Sequence, residues 1–298
     1  MLRIALFFAT NIAIMVVISI VFSLLGLEGI LAENQVDLNL QALLVMSAVI
    51  GFSGSFISLA LSKWMAKRSM GVQLIDPQQP RNDTERWLIS TVQRQAQQAN
   101  IGMPDVGIFN SPSPNAFATG ARRNSALVAV SVGLMQNMKQ DEVEAVLAHE
   151  VSHVANGDMV TMALIQGVMN TFVVFLSRLV GFFVDRVLLR NERGLGIGYY
   201  VTSIVTQILF GMLASVVILW FSRRREFRAD AGAADIAGSS KMIAALKRLG
   251  GGKGEAGLAE PMTSFGITGK DKGGFKDLFL SHPPLEQRIA ALQARAGT

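Results

Sequence analysis

The chain has 298 residues and a formal net charge of +5; half of its residues are hydrophobic and only 16% are charged. This composition and a mean hydropathy of +0.39 are typical of a membrane protein. No cysteine occurs, which excludes disulfide bonds and thiolate metal ligands. Much of the modest positive charge lies beside apolar segments, where membrane topology accounts for it, so we expect no nucleic-acid binding.

Two apolar segments begin the chain. Residues 4–25 contain no charged side chain and can cross a hydrocarbon layer of about 30 Å. This run exceeds that of a typical signal peptide and no clear cleavage site follows, so we expect an uncleaved span. Residues 40–61 form a second predicted span, followed by Lys63 and Lys67, whereas the connection 26–39 has no Lys or Arg. The positive-inside rule therefore predicts that the N-terminus and the chain beyond Lys63 are cytoplasmic.

A soluble segment with both helices and strands is predicted next. Its elements are a helix at 83–100, a strand at 106–109, a proline-rich turn at 111–114, a strand at 126–132 and a helix at 141–156. Acidic residues at the start of the last helix favour its N-terminal end. After Gly157 and Asp158 we expect this helix to run directly into the next apolar stretch.

Residues 159–177 and 197–221 are the third and fourth apolar stretches and predict a helical hairpin. The connection between them is rich in arginine, which the positive-inside rule would keep in the cytoplasm. The hairpin therefore either exports these arginines or enters the bilayer only partly. In both cases the chain returns to the side that it left.

The soluble segments 63–158 and 222–298 are each small, so we expect them to pack as one cytoplasmic domain. Glycine- and lysine-rich stretches at 250–254 and 266–274 predict loops with little structure. Neither contains the Gly-Lys-Ser/Thr sequence of a phosphate-binding loop, so we expect no ATP hydrolysis.

The most informative segment is His149-Glu150-Val151-Ser152-His153, which contains two of the three histidines. Random placement would give this pattern with a probability of about one in a thousand. On a helix, His149 and His153 project from nearly the same face, one turn apart, and can bind one zinc ion. Glu150 lies beside that ion and can take a proton from an activated water. We therefore predict one catalytic zinc ion per chain, with Glu150 as general base.

A catalytic zinc ion needs a third protein ligand. Glu226 is the best candidate, because it follows the fourth apolar stretch and shares a helix face with Asp230. One of the two carboxylates can ligate while the other accepts a hydrogen bond from a ligating imidazole. Asp158 and His282 are alternative ligands, and a solvated salt-bridge face beside the arginines at 223–225 is the alternative for the Glu226 pair.

These features together resemble the HtpX family of membrane zinc metalloproteases, which are related to the CAAX prenyl endopeptidases. The motifs that carry the resemblance are the two N-terminal spans, Ser-Pro-Ser-Pro-Asn-Ala-Phe-Ala-Thr-Gly at 111–120, the run around the histidine motif at 144–158, residues 226–230 and Ser-His-Pro-Pro at 281–284. The resemblance implies an ATP-independent endopeptidase of the bacterial inner membrane, with a cytoplasmic site, that helps to remove misfolded membrane proteins. It also implies that Glu226 is the third ligand and that Asp230 supports a ligating imidazole.

Family analogy places Asn115 and Phe117 at the substrate groove, where a strand edge can pair with an extended peptide. A turn that ends the proline-rich loop is the alternative structure there. His282 and Arg288 lie near the start of a helix that two prolines can initiate. One of them either stabilises the negative charge that develops on the peptide carbonyl oxygen or holds parts of the domain together.

The predicted fold is a polytopic α-helical membrane protein with a mixed α+β, mainly helical, zincin-like metalloprotease domain in the cytoplasm. Its predicted regions are two N-terminal spans at 1–62, the first part of the protease domain at 63–158, the apolar hairpin at 159–221 and the second part of the protease domain at 222–298. The expected partners are protein or peptide substrates and the lipid bilayer. A non-proteolytic zinc protein, such as a transporter, sensor or scaffold, is the alternative, but it would have little use for Glu150.

Overall fold

A computed structural model describes residues 39–251 and 282–297. The predicted span at 4–25 and most of the glycine- and lysine-rich stretches lie outside these residues. The elements in chain order are α1 (Leu40–Ser69), β1 (Gln73–Leu74), α2 (Asp83–Gln98), β2 (Asp105–Phe109), β3 (Ala116–Thr119), β4 (Leu127–Ser131), α3 (Val132–Asn137), α4 (Gln140–Asn156), α5 (Asp158–Phe183), a π-helical turn (Val184–Leu188), α6 (Ile197–Ala237), α7 (Ser239–Gly251) and α8 (Leu285–Ala296).

Three of the described helices are long and apolar enough to cross a membrane: α1, α5 with its π-helical turn, and α6. They contain the second, third and fourth apolar stretches of the sequence. Helix α5 and the π-helical turn together have 31 residues, which at 1.5 Å per residue is about 46 Å. Because a bilayer core is about 30 Å thick, this length suffices for a complete crossing.

Contacts within the described part of the chain define two compact units, one of residues 39–57 and 163–218 and the other of residues 58–162, 219–251 and 282–297. In the first unit, α1 and α5 approach each other closely at two glycines. A Cβ atom on Gly51 would lie 2.6 Å from the backbone nitrogen of Thr171, and one on Gly167 would lie 2.5 Å from the ring of Phe52. Only a residue without a side chain permits this approach of two helices.

The connection between α5 and α6 folds around Asp185, which is 1% exposed. Its carboxylate accepts hydrogen bonds from Asn191 Nδ2 at 2.9 Å, from the Gly196 backbone nitrogen at 3.0 Å and from the Tyr199 backbone nitrogen at 3.3 Å. The last two donors lie beside and within the first turn of α6, where backbone N–H groups have no helical acceptor. A buried carboxylate therefore caps this helix and fixes the turn.

The second unit contains a four-stranded sheet in the order β1-β2-β4-β3. Strands β2 and β4 are parallel, whereas β1 and β3 are antiparallel to their neighbours. Strand β4 is one residue shorter at each end than the strand predicted at 126–132. It ends at Ser131, which caps α3 by accepting a hydrogen bond from the Leu134 backbone nitrogen at 2.9 Å. Strand β3 is the outer strand on its side of the sheet.

Apolar side chains from the sheet and from α2, α4, α7 and α8 form one core in this unit. Its buried members include Leu88, Val92, Val106, Val128, Val130, Leu147, Val151, Ala245, Leu246 and Leu292. The predicted amphipathic helix at 83–100 corresponds to α2, whose Leu88 and Val92 face this core. The chain after the fourth apolar stretch thus packs with the segment that carries the histidine motif.

The end of α1 is joined to β2 by two ion pairs. Asp105 Oδ2 lies 2.9 Å from Lys67 Nζ and 3.1 Å from Lys63 Nζ. Partial burial alone would raise the pKa of Asp105, but the two ammonium groups outweigh it and hold that pKa below its usual value. Lys63 and Lys67, from which the membrane topology was predicted, therefore also contact the sheet.

The prediction of one continuous helix from residue 141 into the third apolar stretch is wrong. Helix α4 ends at Asn156, Gly157 adopts a left-handed conformation with φ of 68°, and α5 begins at Asp158. The Gly157 backbone nitrogen donates to the Val154 carbonyl at 3.0 Å, which closes α4. Glycine permits this conformation because it has no Cβ, and the chain changes direction over one residue.

We predict that Gly51→Ala destabilises the packing of α1 on α5. The new methyl group would lie 2.6 Å from the Thr171 backbone nitrogen and 2.9 Å from the Gly167 carbonyl oxygen, and such overpacking costs about 1–3 kcal/mol. Gly54→Ala is the matched control, because nothing lies within 4 Å of a Cβ placed there. Thermal unfolding in detergent should give a lower midpoint for Gly51→Ala alone; equal midpoints would contradict this packing.

Candidate metal centre

Both histidines of the motif lie on α4 and face the same point. Their Nε2 atoms are 3.1 Å apart, and the residues are 5% and 6% exposed for His149 and His153. Leu147 and Val151 of the same helix are fully buried in the core and fix its orientation. The four-residue spacing therefore brings two imidazole nitrogens together, as helix geometry requires.

Glu226 on α6 completes the group. Its carboxylate oxygens lie 3.4 Å from His149 Nε2 and 3.4 Å from His153 Nε2, and the residue is 0% exposed. Small residues allow α6 to approach α4 this closely: a Cβ on Gly232 would lie 2.7 Å from Ser152 Oγ. Residues far apart in sequence thus supply three donor atoms that lie within 4.8 Å of one another.

The three donors fit a divalent metal ion. A tetrahedral zinc site with ligand distances of 2.0–2.1 Å has ligand atoms about 3.3–3.4 Å apart. Here the two Nε2 atoms are 3.1 Å apart, and each lies 3.4 Å from one oxygen of Glu226, Oε2 for His149 and Oε1 for His153. Within the described part of the chain, neither carboxylate oxygen of Glu226 forms a well-aligned hydrogen bond, although His282 Nδ1 lies 3.0 Å from Oε2. A cation between the donors would stabilise this buried carboxylate. Two imidazoles and one carboxylate are a donor set that suits zinc better than magnesium or calcium.

Each imidazole has a carboxylate at its other nitrogen. Asp230 Oδ1 lies 2.9 Å from His149 Nδ1, an ion-pair distance without good hydrogen-bond alignment. Asp158 Oδ2 lies 2.6 Å from His153 Nδ1. Such contacts leave both Nε2 atoms available to a metal ion. Asp230 was predicted from sequence to occupy this kind of position, whereas the contact of Asp158 was not.

Carboxylates dominate the electrostatics of the two imidazoles. Burial alone would lower the pKa of His153, but its contact with Asp158 and the nearby negative charges of Glu226 and Glu150 raise it to about 9. Burial likewise opposes protonation of His149, yet Asp230 and Glu226 raise its pKa. The site therefore favours positive charge at the point where the donors converge, and a metal ion supplies that charge without protons.

Arg288 on α8 binds the carboxylate of Asp230 in a bidentate manner. Its Nε donates to Oδ2 at 2.7 Å and its Nη2 to Oδ1 at 2.6 Å, and the residue is 4% exposed. Asp230 thus occupies two of the guanidinium donors, and Nη1 lies 3.7 Å from Glu226. Of the two alternatives from sequence, this geometry favours a structural role for Arg288 over contact with a substrate.

His282 lies beside the site. Its Nδ1 is 3.0 Å from Glu226 Oε2, and its side chain is 30% exposed. It is not among the three donors that converge, and Asp158 contacts the far nitrogen of His153, so neither alternative ligand occupies the position of Glu226. Partial exposure leaves His282 accessible to a bound peptide.

Asn115 lies just before strand β3, and Phe117 lies within it. Backbone groups of Asn115 pair with Ser131, and Phe117 pairs with Ala129 and packs its ring against Phe109 at 5.5 Å between centroids. Among the described residues, β3 has a strand partner on one side only. The segment is therefore an edge strand, and the place of Asn115 and Phe117 at a substrate groove stays a prediction.

Glu150 follows His149 on α4 and is 6% exposed. Its negative charge contributes to the raised pKa of His153. The missed contact of Asp158 had one signal in the sequence: a ligating imidazole needs an acceptor at its second nitrogen, and Asp158 is the next acidic residue after the motif. The sequence did not show that Gly157 breaks the helix and thereby brings Asp158 to His153.

Three long apolar helices and a buried His-His-Glu group in a mixed-sheet domain define a membrane metallopeptidase. A profile of Peptidase family M48 matches residues 82–296. The chain belongs to peptidase family M48 and, within it, to the HtpX proteases, which confirms the resemblance and the predicted fold class. It is 62% identical over 294 residues to Protease HtpX of Thioalkalivibrio sulfidiphilus, covering 99% of each chain.

Another relative, Protease HtpX of Pseudoalteromonas atlantica, is 64% identical over 293 residues, with 98% of this chain and 99% of the relative covered. Among solved structures, Ste24p of S. mikatae is similar with a TM-score of 0.62 and 16% identity. That similarity covers 97% of this chain and 67% of Ste24p. At this identity it shows a shared fold.

We predict that Arg288→Ala destabilises the protein, because it leaves the buried carboxylate of Asp230 without its bidentate partner. Removing one member of a buried ion pair costs about 3–5 kcal/mol. Arg86→Ala is the control, since Arg86 pairs with Asp83 on the surface, where such pairs contribute little. Thermal unfolding should separate the two variants, and a normal midpoint for Arg288→Ala would be incompatible with the described contact.

Proposed function

We propose that this chain is a zinc-dependent endopeptidase that hydrolyses peptide bonds of misfolded or damaged membrane proteins without ATP. The observation that carries the proposal is the convergence of His149, His153 and Glu226 next to Glu150 on the motif helix. Membership of the M48 family makes the chain a metallopeptidase. The identity of the metal, the roles of the residues and the substrates are the parts that we infer.

His149, His153 and Glu226 would hold one zinc ion. When bound, the ion supplies Lewis acidity, which polarises the scissile carbonyl group and lowers the pKa of water. Asp230 and Asp158 hold the two imidazoles with their Nε2 atoms toward the site. Arg288 in turn holds Asp230, so the ligands are oriented before the substrate arrives.

Glu150 is the proton carrier of the reaction. Its carboxylate removes a proton from the attacking water as the oxygen bonds to the carbonyl carbon. The same carboxyl group then gives that proton to the amide nitrogen, the C–N bond breaks, and an amine and a carboxylic acid leave. Low exposure of Glu150 keeps bulk water from competing for this proton.

An extended peptide would bind along the free edge of β3. Backbone groups of an edge strand can pair with a substrate strand whatever its side chains, which suits an enzyme for varied unfolded segments. Asn115 and Phe117 would border this groove. His282, partly exposed beside Glu226, would stabilise the negative charge that develops on the carbonyl oxygen.

We infer that the enzyme is a multi-pass protein of the bacterial inner membrane, with its N-terminus and active site in the cytoplasm. In this arrangement residues 1–62 and 159–221 are the membrane regions, and 63–158 and 222–298 form the protease domain. Lys63 and Lys67 at the end of α1 support the orientation. The motif leads into α5 within five residues, and Glu226 follows closely on the apolar part of α6. These connections favour substrates that are themselves anchored in the membrane.

We predict that Glu150→Gln retains zinc and the fold but loses proteolysis. The amide keeps the size of the side chain and cannot take up the proton, so cleavage should fall by about 10²–10⁴-fold. The test is cleavage of an unfolded membrane protein by purified enzyme, together with the zinc content of each sample. Glu142→Gln on the same helix is the control and should cleave normally.

Cleavage by Glu150→Gln at the wild-type rate would exclude the proposed mechanism. A wild-type protein that holds zinc but cleaves no protein or peptide would instead support the non-proteolytic alternative. A different metal in the active sample would replace zinc in the proposal and leave the ligand set intact.

We predict that the turn between α5 and α6 is exported. The chain has no cysteine, so single cysteines at Arg193 in this turn and at Arg122 beside β3 can be labelled selectively. An impermeant maleimide applied to spheroplasts should label Arg193→Cys, whereas Arg122→Cys should react only after lysis. Labelling of both positions only after lysis would mean that the hairpin enters the bilayer partly.

A further inference from the structure

We propose that Asp158 is the positioning residue of the second metal ligand, His153, and that Gly157 is present to bring it there. This inference rests on the proposed metal site and adds a residue to it. Asp158 would act through the imidazole and would touch neither substrate nor metal.

The contact between the two residues is short and buried. Asp158 Oδ2 lies 2.6 Å from His153 Nδ1, and Asp158 is 2% exposed. A carboxylate at this position accepts the Nδ1–H and so fixes the tautomer in which Nε2 carries the free lone pair. It also prevents rotation of the ring away from the point where the three donors converge.

An uninterrupted helix could not make this contact. Asp158 follows His153 by five residues, and five residues at about 100° each would place it on a different face of the helix. The left-handed Gly157, with φ of 68°, breaks the helix between them. The chain thereby changes direction, and the carboxylate at the start of α5 comes to the imidazole.

The two supporting carboxylates differ in charge balance. Arg288 neutralises Asp230 through two hydrogen bonds. Among the described residues, the ion pair of Asp158 is with His153 alone, and no lysine or arginine pairs with it. An uncompensated carboxylate raises the basicity of the imidazole more than a neutralised one does. Asp158 should therefore make His153 the stronger donor of the two histidines.

The test compares zinc binding by Asp158→Ala, Asp158→Asn and Asp158→Glu in the full-length Glu150→Gln protein, which avoids self-cleavage. Competition with a chromophoric chelator measures the affinity for zinc. Asp158→Ala should bind zinc about 10–100-fold more weakly, as is typical for loss of such a partner. Asp158→Asn should be weakened less, because its amide oxygen can still accept the hydrogen bond, and Asp158→Glu should recover part of the affinity.

Asp141→Asn is the matched control, since Asp141 is an exposed residue on α4 that pairs with Lys241. It should bind zinc as the parent does. The visible spectrum of the cobalt-substituted protein gives a second readout: its bands should shift in Asp158→Ala and Asp158→Asn and stay unchanged in Asp141→Asn. A purely structural role of Asp158 would lower thermal stability without moving these bands.

Zinc affinity of Asp158→Ala within twofold of the parent would overturn the inference. If that variant does not fold, the spectrum and affinity of Asp158→Asn decide in the same way. Glu226→Ala separates this inference from the proposed function. Should Glu226→Ala retain full zinc affinity, the ligand set is wrong; should it lose zinc while the Asp158 variants keep it, only the role of Asp158 is wrong.

Discussion

The fully buried carboxylate of Glu226 is the constraint on which the rest of the site depends. Neither of its oxygens forms a well-aligned hydrogen bond among the described residues, and burial of a carboxylate is strongly unfavourable unless positive charge balances it. Two imidazoles converge on it from α4, and Arg288 approaches it from α8. Gly232 contributes to this arrangement, because its lack of a side chain lets α6 approach α4 closely enough for the donors to meet. The domain core thus holds an anionic group that a divalent cation can balance.

Further side chains orient the two ligating imidazoles. His149 is backed by Asp230 and then by Arg288, whereas His153 is backed by Asp158 at the start of the next helix. Three different segments of the chain therefore determine the direction of two imidazole rings. Preorganisation of this kind reduces the reorganisation needed when charge develops during peptide hydrolysis. It also explains why residues outside the histidine motif are as important to the geometry as the motif itself.

Much of the site could be predicted because its chemistry depends on local spacing. The separation of His149 and His153 by one helical turn determines where both rings point, and the position of Glu226 after an apolar stretch limits where it can lie. The break at Gly157 was missed although glycine commonly ends a helix, since a one-residue interruption leaves the apolar periodicity on both sides intact. The partner of Arg288 was equally hidden, because its contact with Asp230 joins positions 58 residues apart and depends on tertiary packing. Strand β1 is short and owes its existence to pairing with β2.

The wide sequence separation of the ligands has a consequence for the stability of the fold. A metal ion held by α4 and α6 joins distant parts of the chain, much as a covalent cross-link would, in a sequence that has no cysteine to form one. Because the three ligands converge only in the folded chain, metal binding to the native state shifts the folding equilibrium toward that state. Metal uptake and maturation of the domain should therefore be thermodynamically coupled, so that a chain starved of metal is both inactive and prone to turnover.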